Sequence, residues 1–236
     1  MPDLTTILTP EGWSGATSGR WSRRANRVVD ERRGVSTEGR DLINARGGDD
    51  VIIGRTGNGD PGYFSQGGRL QMGGGNDLLI GSSADGVGIV NRGFIFMGSG
   101  DDRIEASGGK LGIRNRRFIF MQDGDDVMDV SEGGIRGGGF VDMGEGNNTF
   151  IGFGDHRIIA SSDGEDTLLL PSGRYDVSRR GGGRNGREVR IEQGDDRLRV
   201  FEFDVVGAIN SRRDERIDLN FNGTLVVRNN GTVEII

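Results

Sequence analysis

Apolar residues in this chain come in short runs that alternate with polar ones, and the stretch from 44 to 170 shows no apolar period of 3.6 residues. Runs of ~4–6 residues bounded by glycine and asparagine predict strands rather than helices. The runs also repeat. RGGDDVIIG (46 to 54), MGGGNDLLIG (72 to 81), MGSGDDRIEAS (97 to 107), MQDGDDVMDVS (121 to 131), MGEGNNTFIG (143 to 152) and SSDGEDTLLL (161 to 170) share one template. Its second acidic position falls at Asp50, Asp77, Asp102, Asp126, Asn148 and Asp166, with successive spacings of 27, 25, 24, 22 and 18 residues.

Each repeat carries two further runs, clearest in GIVNRGFIFMGSG (88 to 100), GIRNRRFIFMQDG (112 to 124) and GIRGGGFVDMGEG (134 to 146). Three strands in about 24 residues make one coil, and near-identical coils stack into a parallel β-helix. The reading is therefore an all-β, three-sided parallel solenoid. Six coils at ~4.8 Å per strand make a rod of roughly 25–30 Å.

Alignment of the coils sorts side chains by direction, because alternate residues of a strand face opposite sides. Leu70, Ile95, Ile119 and Val141 form an always-apolar column, as do Met72, Met97, Met121 and Met143, and both are expected to face inward. Ile52, Leu79, Ile104, Met128, Phe150 and Leu168 form another inward column, and Ile89, Ile113 and Ile135 a third. The positions between them read Arg69 and Gln71, then Phe94 and Phe96, Phe118 and Phe120, Phe140 and Asp142; their polar members mark the outer face. The five outward phenylalanines would form a patch larger than monomers usually expose, so a cover is expected. It would be either the N-terminal segment with Trp13 and Trp21 or a second copy in a homo-oligomer.

Composition agrees with a thin rod. Glycine supplies 45 of 236 residues, against roughly 7% in an average protein, and only 33% of residues are hydrophobic. The organisation expected is an N-terminal capping segment (1–43), the β-helix (44–170) and a C-terminal β-strand and hairpin cap (171–236), where GTLVVRNNGTVEII carries an Asn-Asn-Gly turn. A net charge of -6 argues against nucleic-acid binding through phosphate contacts. There is no cysteine, so disulfides and thiolate metal sites are excluded. No run of ~18 apolar residues occurs, so no membrane-spanning helix is expected. The opening MPDLTTILTPEGWSG lacks a basic n-region followed by an apolar run, so it does not read as a signal peptide.

The G-x-G-x-D-x-hydrophobic core of these units, best seen at Gly73, Gly75, Asp77 and Leu79 and at Gly98, Gly100, Asp102 and Ile104, resembles the calcium-binding nonapeptide of the RTX (hemolysin-type) family. The resemblance covers roughly residues 44 to 170. It departs from the family in having one such turn per coil, methionine in place of the first glycine, and Asn147 and Asn148 in place of the acidic pair. A three-sided helix with one RTX-type turn per coil follows, rather than a two-sided roll. The resemblance implies Ca²⁺ held by aspartates and backbone carbonyls of adjacent turns. It also implies an extracellular or cell-surface protein that leaves by type I secretion, with a structural or adhesive role.

Physics independently favours a cation at this corner. Stacked carboxylates about 5 Å apart cost about 3.5 kcal/mol per pair at an effective dielectric of ~20. The candidate metal ligands are Asp50, Asp77, Asp101, Asp102, Asp125, Asp126 and Asp166, with Asp101, Asp102, Asp125 and Asp126 the most negative set. The competing reading is that these side chains only bond turn amides.

Catalytic signals are weak, and no enzyme is expected. His156 is the only histidine and reads as a loop residue; neither H-E-x-x-H nor G-x-S-x-G occurs. The insertion GNGDPGYF (57 to 64) could place Asp60 and Tyr63 near Arg69 on a sugar, which keeps a polysaccharide-binding or polysaccharide-modifying module as the alternative. A phage or appendage fibre subunit is the second alternative. Arginine supplies all but one of the 30 basic residues, with clusters at Arg114, Arg116 and Arg117 and from Arg179 to Arg190. The first could bind carboxylate or phosphate; the second reads as a hairpin loop around GGGRNGR.

Overall fold

The computed structural model describes residues 5–8, 13–14, 26–30, 34–38, 42–161, 163–183, 186–212 and 215–236. They form a succession of short strands gathered into three sheets of a parallel β-solenoid. The first sheet stacks Asn26–Asp30, Val51–Thr56, Leu78–Ser83, Arg103–Gly108, Val127–Asp129, Thr149–Ile151 and Thr167–Leu170 in that order. The second stacks Val35–Glu38, Tyr63–Gln66, Val87–Asn91, Leu111–Asn115 and Ile135–Arg136, and the third Leu42–Asn44, Arg69–Gly74, Phe94–Ser99, Phe118–Asp123, Phe140–Asp142 and His156–Ile159. Pairing is parallel and in register from coil to coil, as in Ile95 with Leu70 and Ile119.

The inward columns are those read from the repeat. Leu70, Ile95, Ile119 and Val141, the four methionines, Ile89, Ile113 and Ile135, and the column from Ile52 to Leu168 are all completely buried. Strict register places each apolar side chain over its counterpart one coil away, so every position of a column is apolar even where the residue type changes, as from Ile104 to Met128 and Phe150. Strands Thr5–Leu8 and Trp13–Ser14 pair in parallel with Asn26–Asp30 and Val35–Glu38, continuing the first and second sheets. Trp21 lies outside the described residues, as does Arg184.

The C-terminal region closes the stack with antiparallel strands. Gly173–Gly183 and Gly186–Gln193 form a hairpin, Gly186–Gln193 runs against Asp196–Phe201, and Asp196–Phe201 adds in parallel to His156–Ile159. Val205–Ala208 adds in parallel to Thr167–Leu170. Gly223–Val227 and Val233–Ile235 form the hairpin expected around Asn-Asn-Gly, with Gly231 at φ 91°. Among the described residues no helix is long and apolar enough to cross a membrane.

The outward phenylalanines cover one another. Phe96 and Phe120 stack at 5.1 Å with planes 6° apart, Phe118 and Phe140 lie 4.7 Å apart, and Phe140 meets Phe120 edge-on. Arg69 caps the other end, its guanidinium 5.6 and 5.5 Å from the rings of Phe94 and Phe96. All five rings are only half-buried, so they do face outward. The rings also pack on one another along the column, from Phe94 through Phe118 to Phe140.

Candidate functional site

The acidic corner joins the third sheet to the first, and glycine makes it possible. Gly98 and Gly100 have φ of 130° and 118°, a region open to glycine at little cost. A Cβ at Gly98 would collide with the carbonyl oxygen of Gly73 in the coil below. These turns let each coil lie flat on its neighbour, which brings one pair of acidic or asparagine residues per coil into contact with the next.

The pleat then divides each pair. Asp50, Asp77, Asp102, Asp126, Asn148 and Asp166 are buried, whereas Asp49, Asn76, Asp101, Asp125, Asn147 and Glu165 are exposed. The four carboxyl groups of Asp101, Asp102, Asp125 and Asp126 therefore belong to two columns, on opposite sides of the turn. Among the described residues no three acidic or histidine side chains converge as a ready metal cage.

Both columns are hydrogen-bond ladders, and they run in opposite directions. In the buried one each side chain reaches back: the amides of Asp50, Asp77 and Asp102 donate to Oδ1 of Asp77, Asp102 and Asp126 at 2.7, 2.8 and 2.7 Å. The ladder continues from Asp126 to Asn148 at 3.0 Å, from Asn148 to Asp166 at 2.9 Å, and from Asp166 to Oδ2 of Asp204 at 3.0 Å. In the exposed column each side chain reaches forward. Asp49, Asn76, Asp101, Asp125 and Asn147 accept from the amides of Asn76, Asp101, Asp125, Asn147 and Glu165 at 2.7–3.0 Å. Bonding to turn amides is thus observed, across coils rather than within a turn.

Amide bonding satisfies only half of each buried carboxyl. Oδ2 of Asp77, Asp102, Asp126 and Asp166 is buried and accepts no hydrogen bond. Burial pushes the carboxyls of Asp77 and Asp126 up to about 8 and those of Asp102 and Asp166 to about 7, with neighbouring carboxylates adding to the rise and the amide bonds opposing it. Asn148 shows what surrounds that atom, for its Nδ2 donates to the carbonyls of Gly144 and Gly146 at 3.2 and 3.4 Å. The glycines that shape this turn at Gly144 and Gly146 recur beside the aspartates, as Gly73 and Gly75 before Asp77 and as Gly98 and Gly100 before Asp102. Asp204, the last rung, was not foreseen in the sequence; its other oxygen pairs with Arg187 at 3.4 Å.

The corner between the second and third sheets carries a neutral ladder. Asn91 Nδ2 donates to Asn115 Oδ1 at 2.9 Å, and the two side chains also accept from the amides of Gly93 and Arg117. His156 completes the column. It is a buried strand residue, not a loop histidine: Nε2 lies 3.1 Å from Asn115 Nδ2 and Nδ1 lies 3.0 Å from the Gly137 carbonyl. A ring that donates from Nδ1 and accepts at Nε2 fits both partners, and burial lowers its pKa to about 4.

Asp60, Tyr63 and Arg69 do not form a pocket. Tyr63 is fully buried in the column of Ile89 and bonds Thr37 at 3.4 Å, Asp60 is exposed on the loop, and Arg69 lies on the phenylalanines. The loop is pinned instead by its backbone, since the Asp60 carbonyl accepts from the hydroxyls of Thr56 and Ser83. No family model matches the chain, and no curated protein matches it.

Proposed function

We propose that this protein is a calcium-binding structural solenoid whose acidic corner takes up Ca²⁺ between coils. The observation that carries this reading is the row of buried, donorless Oδ2 atoms at Asp77, Asp102, Asp126 and Asp166. Each would contribute a carboxylate oxygen beside carbonyls of the glycine turns, and a bound cation would remove the repulsion along the column. Asp50 belongs to the same column, whereas Asp101 and Asp125 on the exposed side contribute charge. A set with few carboxylates per ion and many carbonyls matches the weak sites of extracellular modules, with Kd of about 10⁻⁴–10⁻³ M. That range suits a structural or adhesive role at the cell surface or outside the cell, where calcium is abundant.

Isothermal titration with CaCl₂ tests the reading. Heat of binding in that concentration range is expected, reduced when Asp102 and Asp126 are both replaced by asparagine. Absence of binding at millimolar calcium, or identical isotherms for the wild type and the double variant, would overturn it.

A further inference from the structure

One loop away from the acidic corner brings reactive groups together. GNGDPGYF holds the chain's only Asp–Pro bond, between Asp60 and Pro61. The loop leaves Val51–Thr56 and returns as Tyr63–Gln66, so it connects the first sheet to the second within its coil.

Two buried hydroxyls converge on the carbonyl of that bond. Ser83 Oγ donates to the Asp60 carbonyl oxygen at 2.7 Å, Thr56 Oγ1 donates to the same atom, and the two hydroxyl oxygens lie 3.0 Å apart. By contrast Ser65, Tyr175 and Ser211 each bond a carbonyl of their own, at Gly68, Pro171 and Ala208. Thr56 and Ser83 are partners in register, and the next member of their column is Gly108. The column thus carries hydroxyls beside the loop and loses its side chain one coil further on. Gly86 leaves room for the arrangement, since a Cβ there would lie 2.6 Å from Ser83 Oγ and 2.2 Å from the Gly59 carbonyl oxygen.

The carboxyl group of Asp60 is placed by Asn58. Asn58 Nδ2 donates to Asp60 Oδ2 at 2.9 Å, and Asn58 Oδ1 accepts from the Asp60 amide at 3.3 Å. Oδ1 of Asp60 is left without a hydrogen bond among the described residues, on the same residue as the carbonyl that the hydroxyls hold. A nucleophile tethered beside its target reacts at a high effective concentration. The bond to Pro61 is a tertiary amide, whose nitrogen carries no hydrogen and is more basic than that of an ordinary peptide.

We propose that Asp60–Pro61 is a self-cleaving peptide bond, with Asp60 as nucleophile and the hydroxyls of Thr56 and Ser83 as its oxyanion hole. Oδ1 of Asp60 attacks the main-chain carbonyl carbon of the same residue; a C–O bond forms and the carbonyl electron pair moves onto the oxygen. The two hydroxyls stabilise that oxyanion in a site from which water is excluded. The pair then returns, the C–N bond breaks, and the prolyl nitrogen leaves as an amine with a proton taken from water. Hydroxide so formed opens the cyclic anhydride left on Asp60, giving two carboxyl groups. One water is consumed in all, and nothing is oxidised or reduced. The cut divides the chain into 1–60 and 61–236, whose strands stay paired as Val35–Glu38 with Tyr63–Gln66 and Val51–Thr56 with Leu78–Ser83. The pieces therefore separate only when the fold is opened, and no step depends on calcium uptake.

Mass spectrometry of the denatured protein, after incubation at one fixed mildly acidic pH and calcium concentration, tests it. Fragments 1–60 and 61–236 are expected from the folded chain about a hundredfold faster than from the same chain in concentrated urea, where only the intrinsic lability of an Asp–Pro bond operates. Thr56→Val with Ser83→Ala should slow the cut by about the same factor. Asp60→Asn, at an exposed position, should abolish it with the melting temperature unchanged. The proposal is overturned by a chain that stays whole, by equal rates in the folded chain and in urea, by a cut that persists in Asp60→Asn, or by a folded hydroxyl variant that cleaves at the wild-type rate. Should the hydroxyl variant not fold, the urea comparison and Asp60→Asn decide.

Discussion

Asn148 receives the backbone N–H of Asp126 on its Oδ1 at 3.0 Å, the same bond that each aspartate of the buried column makes one coil away. The amide thus occupies a carboxyl position without disturbing the ladder, and its second atom donates where the aspartates have only an oxygen. One coil of the protein therefore displays a permanent donor hydrogen at the second atom, a place that at the aspartates only a bound proton or a cation could fill.

Asn148→Asp should consequently weaken the stack in chelator. The change removes two donated bonds and adds a buried charge between Asp126 and Asp166, a loss of about 1–3 kcal/mol or a fall of roughly 2–12 °C in Tm. Calcium should restore most of it. Calorimetric melting in EGTA and in CaCl₂ checks both halves.

In chelator the buried aspartates also set a pH dependence. Their folded pKa values, about 7 to 8, lie above an unfolded value of ~3.9, so the folded chain holds protons that the unfolded chain releases. This contribution is fully present below pH ~4 and is lost as the pH rises through 7 to 8. Urea unfolding in EGTA should show lower stability at pH 8 than at pH 5.5, with the difference reduced by calcium.

His156 acts in the opposite sense. Its folded pKa of about 4 lies below the ordinary value of 6.5, so the unfolded chain binds the proton more readily and stability falls as pH drops from 6.5 towards 4. A protonated ring would set an N–H against Asn115 Nδ2. Comparison of the wild type with His156→Gln separates this from the aspartates: the variant should lose the slope contributed between pH 6.5 and 4, measured by urea unfolding.

The repeat made the coil path and the core readable, because strict register converts a column such as Ile95, Ile119 and Val141 into a direct statement of direction. Interruptions of the repeat hid the rest. Tyr63 belongs to the Ile89 column, but GYFSQGGRLQM carries one more residue than GIVNRGFIFM, so the alignment slips by one. Asp204 ends the acidic column but follows Asp166 by 38 residues, across the antiparallel hairpin. The adjacent acidic residues of each coil look alike as letters, and only the pleat sends Asp102 inward and Asp101 outward.

The aromatic ladder yields a prediction about assembly. Since the rings shield one another, Phe96→Ser with Phe120→Ser should cost about 1–3 kcal/mol of stability and leave the molecular mass in solution unchanged. Light scattering alongside melting decides it; dissociation of an oligomer would instead mark the ladder as a subunit interface.

The central claim is that the buried aspartates are built for a cation, and melting of two proteins in two buffers tests it most directly. The wild type should gain several degrees or more in millimolar CaCl₂ relative to EGTA, because a ligand bound only by the folded state stabilises it. A variant with Asp77, Asp102 and Asp126 all replaced by asparagine should melt high in both buffers, its amides donating to the turn carbonyls as Asn148 does. Equal melting of the wild type with and without calcium, or a triple variant that keeps the full calcium response, would contradict the account.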